Sequence, residues 1–178
     1  MDTLKSTSHQ PLKFGLGRMH HETGERRDFL PDFVARLQLS GAELLLEEGY
    51  GGGMGYSEQD YLHAASQVKI GTADEVFQQD YVLVLRCPPE EQIRKMKPGS
   101  CLISMLHYPT RPQRVQLLHH LGLDAISLDS IKDDTGRRLV ENLRSVAWNG
   151  IEAAMNVLAQ TFPSPGFESP QRAPIHVT

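Results

Sequence analysis

The sequence predicts an α/β fold: a Rossmann-like or flavodoxin-like three-layer sandwich around a mostly parallel sheet. Three observations predict it. Short apolar runs alternate with helix-period segments about five times along the 178 residues. Two of those runs, YVLVLRC and SCLISML, are apolar almost throughout, as strands covered on both faces of a parallel sheet are. The composition, 39% hydrophobic and 22% charged, is that of an ordinary globular chain, and no internal repeat interrupts the alternation.

Each element has a local reason. KFGLGRM, Lys13 to Met19, has strand length. In LPDFVARLQLSG, Leu30, Phe33, Val34 and Leu37 fall at helical spacing, and Gly41 supplies the stop. AELLLEEGY, Ala42 to Tyr50, reads as a strand that runs into GYGGGMG. Ser57 offers an N-cap for a helix holding Tyr61, Leu62 and Ala65, with Asp60 completing an imperfect capping box. Thr72 caps the short helix TADEVFQQ, and Tyr81 to Cys87 is a buried strand. PPEEQIRKMKPG is a helix entered through prolines and ended at Pro98 and Gly99. Ser100 to Leu106 is a second buried strand, and RPQRVQLLHHLG a helix ended by Gly122. DAISLDSI, Asp124 to Ile131, reads as a strand before the polar turn KDDTGRR. A longer helix spans about Ser145 to Phe162, the Pro/Ser-rich PSPGFESPQRAP reads as a linker, and IHVT as the start of a strand.

The totals exclude several classes. A net charge of -4 and the lack of a basic stripe argue against a nucleic-acid binder. The apolar runs are too short and interrupted to span a membrane. Residues 1–12 have no apolar core and read as a loose leader rather than a signal peptide. Cys87 and Cys101 form no CxxC and no disulfide framework, so a reducing cytoplasm is the expected compartment.

Ligands of doubly wound sheets sit beyond the carboxyl ends of the strands. The glycine loop is the first place to look, with five glycines between Gly49 and Gly55. It fails as a dinucleotide fingerprint. Counted from Gly49 the third glycine should be residue 54, which is Met54; counted from Gly51 it should be residue 56, which is Tyr56. No Gly-Lys-Ser/Thr follows, so it is not a P-loop either. It reads as a tight connection with several positive-φ positions. The polar candidates are elsewhere. Glu25, Arg26, Arg27 and Asp28 cluster after the first strand, where an arginine could hold a carboxylate bidentately or pair within the loop. Arg86 ends the YVLVLRC strand, suited to an anion or to an internal ion pair. His107 follows the SCLISML strand and could act as acid or base, or be a structural histidine. His20, His21 and Glu22 lack a second ligand set, so no metal is expected.

HETGERRDFLPDFVARL, GYGGGMGYSEQDY, VLRCPPEE, MKPGSCLISMLH, DSIKDDTGRRLV and RAPIHVT, in this order, carry a resemblance. The chain resembles the N-terminal domain of the alanine dehydrogenase / pyridine-nucleotide transhydrogenase family, with its relatives the lysine-forming saccharopine dehydrogenases and lysine-ketoglutarate reductases. The resemblance runs over nearly the whole chain from about Phe14, and it implies a bilobal NAD- or NADP-dependent oxidoreductase. In such enzymes the N-terminal lobe supplies substrate-binding and catalytic groups, and the other lobe carries the dinucleotide fingerprint. Residues 13–162 would then be the substrate-side domain, and residues 163–178 a linker and first strand toward a nucleotide-binding domain that this chain lacks. No cofactor is expected on this chain alone. The family arginine that holds the substrate carboxylate matches Arg27 by the letters ERR; counting back from Pro31, before which this chain is one residue shorter than the family, leaves Arg26 open. The family histidine matches His107. The family lysine matches Arg86, a departure, because an arginine cannot in practice lose its proton. The implied substrate is an amino acid or 2-oxo acid. The DDTGRR turn and the WNGIEAA helix lean toward the saccharopine branch. A homo-oligomer is compatible with the sequence, as are a non-catalytic carboxylate- or protein-binding module and a fragment of a transhydrogenase subunit.

Overall fold

A computed structural model describes residues 10–19, 28–140 and 143–161. They fall into two compact units, the first ending at Leu139 and the second starting at Val140.

The first unit holds β1 (Lys13–Leu16), α1 (Pro31–Leu39), β2 (Glu43–Glu47), α2 (Glu58–Ala64), β3 (Lys69–Gly71) and α3 (Ala73–Phe77). It continues with β4 (Tyr81–Arg86), α4 (Glu90–Ile93), β5 (Cys101–Met105), α5 (Pro112–His120) and β6 (Asp124–Ser127). The six strands form one sheet in the order β3-β2-β1-β4-β5-β6, and every ladder is parallel. Of the two doubly wound orders that the sequence allowed, this is the Rossmann one.

The sheet is sandwiched by two apolar layers. On one face Val34 of α1 and Tyr61 of α2 pack with Phe14, Leu16, Leu44, Leu46 and Leu83. On the other, Val76 and Phe77 of α3, Ile93 of α4 and Leu118 of α5 pack with Val82, Val84 and Leu102. The reversal of strand order falls between β1 and β4, which pair only at Phe14↔Tyr81 and Gly15↔Val82. Gly15 is needed there for close approach. A Cβ on it would stand 2.1 Å from the Val76 carbonyl oxygen, so only glycine lets α3 lie against β1.

Local chemistry sets the helix starts. Thr72 caps α3 with a full capping box: its hydroxyl accepts from Glu75 N (3.3 Å) and Glu75 accepts from Thr72 N (2.8 Å). At α2 the Asp60 carboxylate takes both the N–H and the O–H of Ser57, each at 2.7 Å. Asp133 builds the KDDTGRR turn by accepting from Thr135 N, Thr135 Oγ1 and Arg137 N.

Two expectations are corrected, and the strand β3 is one that the sequence does not display. The PPEEQIRKMKPG helix is helical only over Glu90–Ile93, and tighter turns carry the chain on from Lys95 and Met96, whose N–H groups reach back to Gln92 and Ile93. The DAISLDSI strand ends at Ser127 and gives way to a 3-10 turn over Leu128–Ser130.

The second unit holds α6 (Leu143–Thr161), with Ile151, Val157 and Leu158 exposed. No described helix is long and apolar enough to cross a membrane. The IHVT strand, the linker before it and residues 1–9 of the leader lie outside the described residues.

Candidate functional site

Arg18, Arg86, His107 and Asp129 lie at or just past the carboxyl ends of β1, β4, β5 and β6. β5 ends at Met105, the register partner of Arg86, and His107 follows two residues later, so the two predicted groups stand at the ends of neighbouring strands. Arg86 is exposed and is not a free cation. Its ladder shifts register between Leu83 and Arg86, an irregularity of the kind that re-aims a side chain.

His107 has a backbone that few residues tolerate. Its φ and ψ of 51° and 46° are left-handed, and among the described residues it is the sole non-glycine with positive φ. Such a conformation costs roughly 1–3 kcal/mol and persists only where the surroundings impose it. Asp129 imposes it. One carboxylate oxygen, Oδ1, accepts from Leu106 N (3.0 Å), His107 N (3.2 Å) and the Ser127 hydroxyl (2.6 Å). The Ser127 hydroxyl in turn accepts from Leu106 N at 3.2 Å. The other oxygen, Oδ2, stands 3.3 Å from His107 Nδ1. The His107 ring is 51% exposed while the Asp129 side chain is 10% exposed. Burial alone would raise the Asp129 carboxyl, but the Ser127 hydroxyl, the His107 N–H and the His107 ring together hold it below the usual carboxylate range. This requirement is also why β6 stops: the chain turns after Ser127 so that Asp129 can reach back to β5.

Arg114 of α5 closes the other side of this turn by donating to Leu106 O at 3.1 Å. It also lines a cleft of about 230 Å³ with Cys87, Pro88, Glu90, Ile93 and Leu117. Burial pushes the Cys87 thiol up, and Arg114 offsets this only in part, which favours the protonated thiol. Hollows bordered by Lys13 and Glu43, and by Asp80 and Asp124, lie at the amino ends of the strands, away from these groups.

The glycine loop is folded against the protein's own carboxylates. Gly49 N donates to Glu58 Oε1 (2.6 Å) and Gly51 N to Asp28 Oδ2 (2.8 Å). Gly52 N, Met54 N and Gly55 N bond carbonyls inside the loop. Gly49, Gly51 and Gly55 have positive φ, as a tight connection requires. Five of the loop's N–H groups therefore donate within the protein. Asp28 also accepts from Met19 N at 3.3 Å, which ties the loop to the end of β1. Tyr50 and Tyr61 complete the tie: Phe29 N donates to Tyr50 Oη (3.0 Å), and Tyr61 Oη donates to Phe29 O (2.8 Å). Burial raises both phenols, so both stay protonated.

Arg26 and Arg27, with His20, His21, Glu22 and Glu25, lie outside the described residues. Among the described residues no group of three or more His, Cys, Asp or Glu could hold a metal ion. Sequence reading missed Asp129 and Arg18. Arg18 lies two residues past β1, much as Arg86 ends β4, and its guanidinium donates to Glu48 O (3.1 Å) while its N–H goes to Glu47 Oε2 (2.8 Å). That position in the chain was a usable signal. Asp129 gave none, because the backbone donors it serves are 22 and 23 residues away.

The family model for the alanine dehydrogenase/PNT N-terminal domain matches residues 20–148. The NAD(P) transhydrogenase subunit alpha of Haemophilus influenzae is 25% identical over 136 residues, covering 76% of this chain and 26% of the relative. The alanine dehydrogenase of Bacillus subtilis is 26% identical over 117 residues, covering 66% of this chain and 31% of the relative. The chain therefore spans between a quarter and a third of these curated relatives. Among solved structures, an L-alanine dehydrogenase superposes with a TM-score of 0.67 at 19% identity, over 87% of this chain and 43% of that one. The transhydrogenase of Sinorhizobium meliloti gives 0.66 at 18%, over 86% and 43%. These two show the shared fold. With the family model laid over most of its length, the chain belongs to the alanine dehydrogenase/PNT N-terminal domain family.

Proposed function

We propose that this chain is the substrate-side lobe of an NAD(P)-dependent dehydrogenase acting on an amino acid or its 2-oxo acid. The observation that carries the reading is His107: a half-exposed ring on a strained backbone, at the end of the strand next to the one Arg86 ends, where doubly wound sheets take their ligands. Arg86, with Arg27 or Arg26, binds the substrate carboxylate. His107 takes or returns a proton at the carbon-bound amine or carbonyl. The nicotinamide, carried by a second lobe, supplies or accepts the hydride. In this reading residues 13–162 are the lobe and residues 163–178 lead toward the nucleotide-binding domain.

The test uses the protein at the length its own gene encodes, assayed for NAD(P)H formation over a panel of amino acids. His107→Ala lowers kcat by at least about 100-fold, and Arg86→Ala raises KM for the acid. An unchanged rate in His107→Ala sinks the catalytic role. A second reading rests on Arg86 itself. An arginine in place of the family's lysine cannot serve as a base, which favours a lobe that binds a carboxylate without hydride chemistry. Calorimetric binding of a 2-oxo acid, without turnover of any amino acid in the panel, would select it.

A further inference from the structure

We propose that Asp129 is a positioning residue that sets which nitrogen of His107 faces the ligand: Oδ1 fixes the left-handed backbone, and Oδ2 holds Nδ1–H, so that Nε2 presents its lone pair outward. The inference builds on His107 as the proton carrier, but its geometry stands independently of any reaction.

The two oxygens divide the work. Oδ1 already accepts three donors, Leu106 N, His107 N and Ser127 Oγ. This leaves Oδ2, 3.3 Å from Nδ1, as the acceptor available to the ring. An ionised carboxylate accepts and cannot donate. The ring nitrogen that faces it therefore carries the hydrogen, and in a neutral imidazole the other nitrogen is then the acceptor. Free histidine in water prefers the opposite form, with hydrogen on Nε2, so the arrangement reverses an intrinsic preference. It also couples backbone to side chain. The positive φ of His107 aims the ring, and the same carboxylate that stabilises that φ selects the ring's tautomer. A base that must receive a proton from a substrate amine or alcohol needs its lone pair on the outward nitrogen, and Asp129 places it there.

The 178-residue chain, labelled with 15N, is observed by long-range 1H–15N correlation of the histidine rings, at a pH where they are neutral. His107→Asn identifies the His107 signals among the eight histidines. The expected wild-type spectrum has a pyrrole-type Nδ1 and a pyridine-type Nε2. In Asp129→Asn the amide oxygen takes over the backbone donors and the amide N–H₂ faces Nδ1, so the ring switches to hydrogen on Nε2. A wild-type ring protonated on Nε2, or an Asp129→Asn ring that keeps its hydrogen on Nδ1, overturns the proposal. If Asp129→Asn does not fold, the wild-type spectrum decides alone. Loss of turnover in His107→Ala together with an Nε2–H wild-type ring would reject the positioning role and leave the proposed function standing. The reverse pair of results would reject the function and keep the positioning.

Discussion

Replacing Gly51 by alanine separates two costs that the glycine loop avoids. A Cβ there would lie 2.5 Å from both Cε2 and Oη of Tyr61, where ordinary contact begins at 3.4 Å. The ring cannot swing aside. Tyr61 is fully buried, its hydroxyl donates to Phe29 O, and its ring meets Tyr50 edge-on at 5.3 Å. Overpacking of this kind costs roughly 1–3 kcal/mol. The φ of +79° adds roughly 1–2 kcal/mol for any residue with a Cβ. The sum is about 2–5 kcal/mol. Gly55 provides the control: its φ is +85° but nothing lies within 4 Å of its Cβ position. Gly55→Ala therefore carries the backbone cost alone, roughly 1–2 kcal/mol. Urea unfolding followed by far-ultraviolet circular dichroism reads both. With a slope of about 1–3 kcal/mol per molar, Gly51→Ala lowers the midpoint by about 0.7 M or more, and by clearly more than Gly55→Ala. Equal midpoints for the two variants would refute the steric contact with Tyr61.

Thr72→Ala removes the capping box of α3 and costs about 1 kcal/mol, while Thr72→Ser recovers most of it; a urea midpoint for Thr72→Ala equal to wild type would contradict the cap. Acid should weaken the first unit in a defined window. Asp60 and Glu75 are held low by the N–H and O–H of their capping residues, Asp133 by the Thr135 hydroxyl and the Arg137 N–H, and Asp129 by its donors against its own burial. Each has a folded pKa below its unfolded one, so the unfolded chain binds more protons between the two values. Their contribution is complete above about pH 5 and is lost as pH falls through the folded values. Midpoints measured from about pH 6 down to about pH 2 should hold steady and then drop, and a midpoint that stays constant to the acid end would count against these carboxylate contacts.

Elements whose reasons are local were legible. The apolar runs of β4 and β5, the helical spacing in α1 and the Thr72–Glu75 box each lie within one segment, so the sequence displays them. β3 was not, because KIG is too short to show a period. It becomes a strand only by pairing with β2 at Leu45↔Lys69, Leu46↔Ile70 and Glu47↔Gly71. The early end of α4 was hidden for the opposite reason. Its pattern continues to Met96, but turns bonded one residue tighter replace the helix before Pro98. At the site, His107 and Arg86 were visible as polar residues at the ends of apolar strands. Asp129 looked like one more polar residue in a strand-forming stretch, since its meaning lies in the β5 backbone it faces.

The amino-acid order by itself determined the class of fold, the family resemblance and the failure of GYGGGMG as a dinucleotide fingerprint. All of these depend on which residues follow one another. The tertiary structure alone decided the strand order, with its switch between β1 and β4, because that depends on α3 lying against Gly15. It also decided that the Gly49 and Gly51 N–H groups point at Glu58 and Asp28, and that the Asp129 carboxylate, in the turn after β6, meets the backbone N–H and ring of His107, just past β5. Hydrogen bonds between residues 22 apart leave no period in a sequence. They exist only once the sheet has set two strand ends side by side.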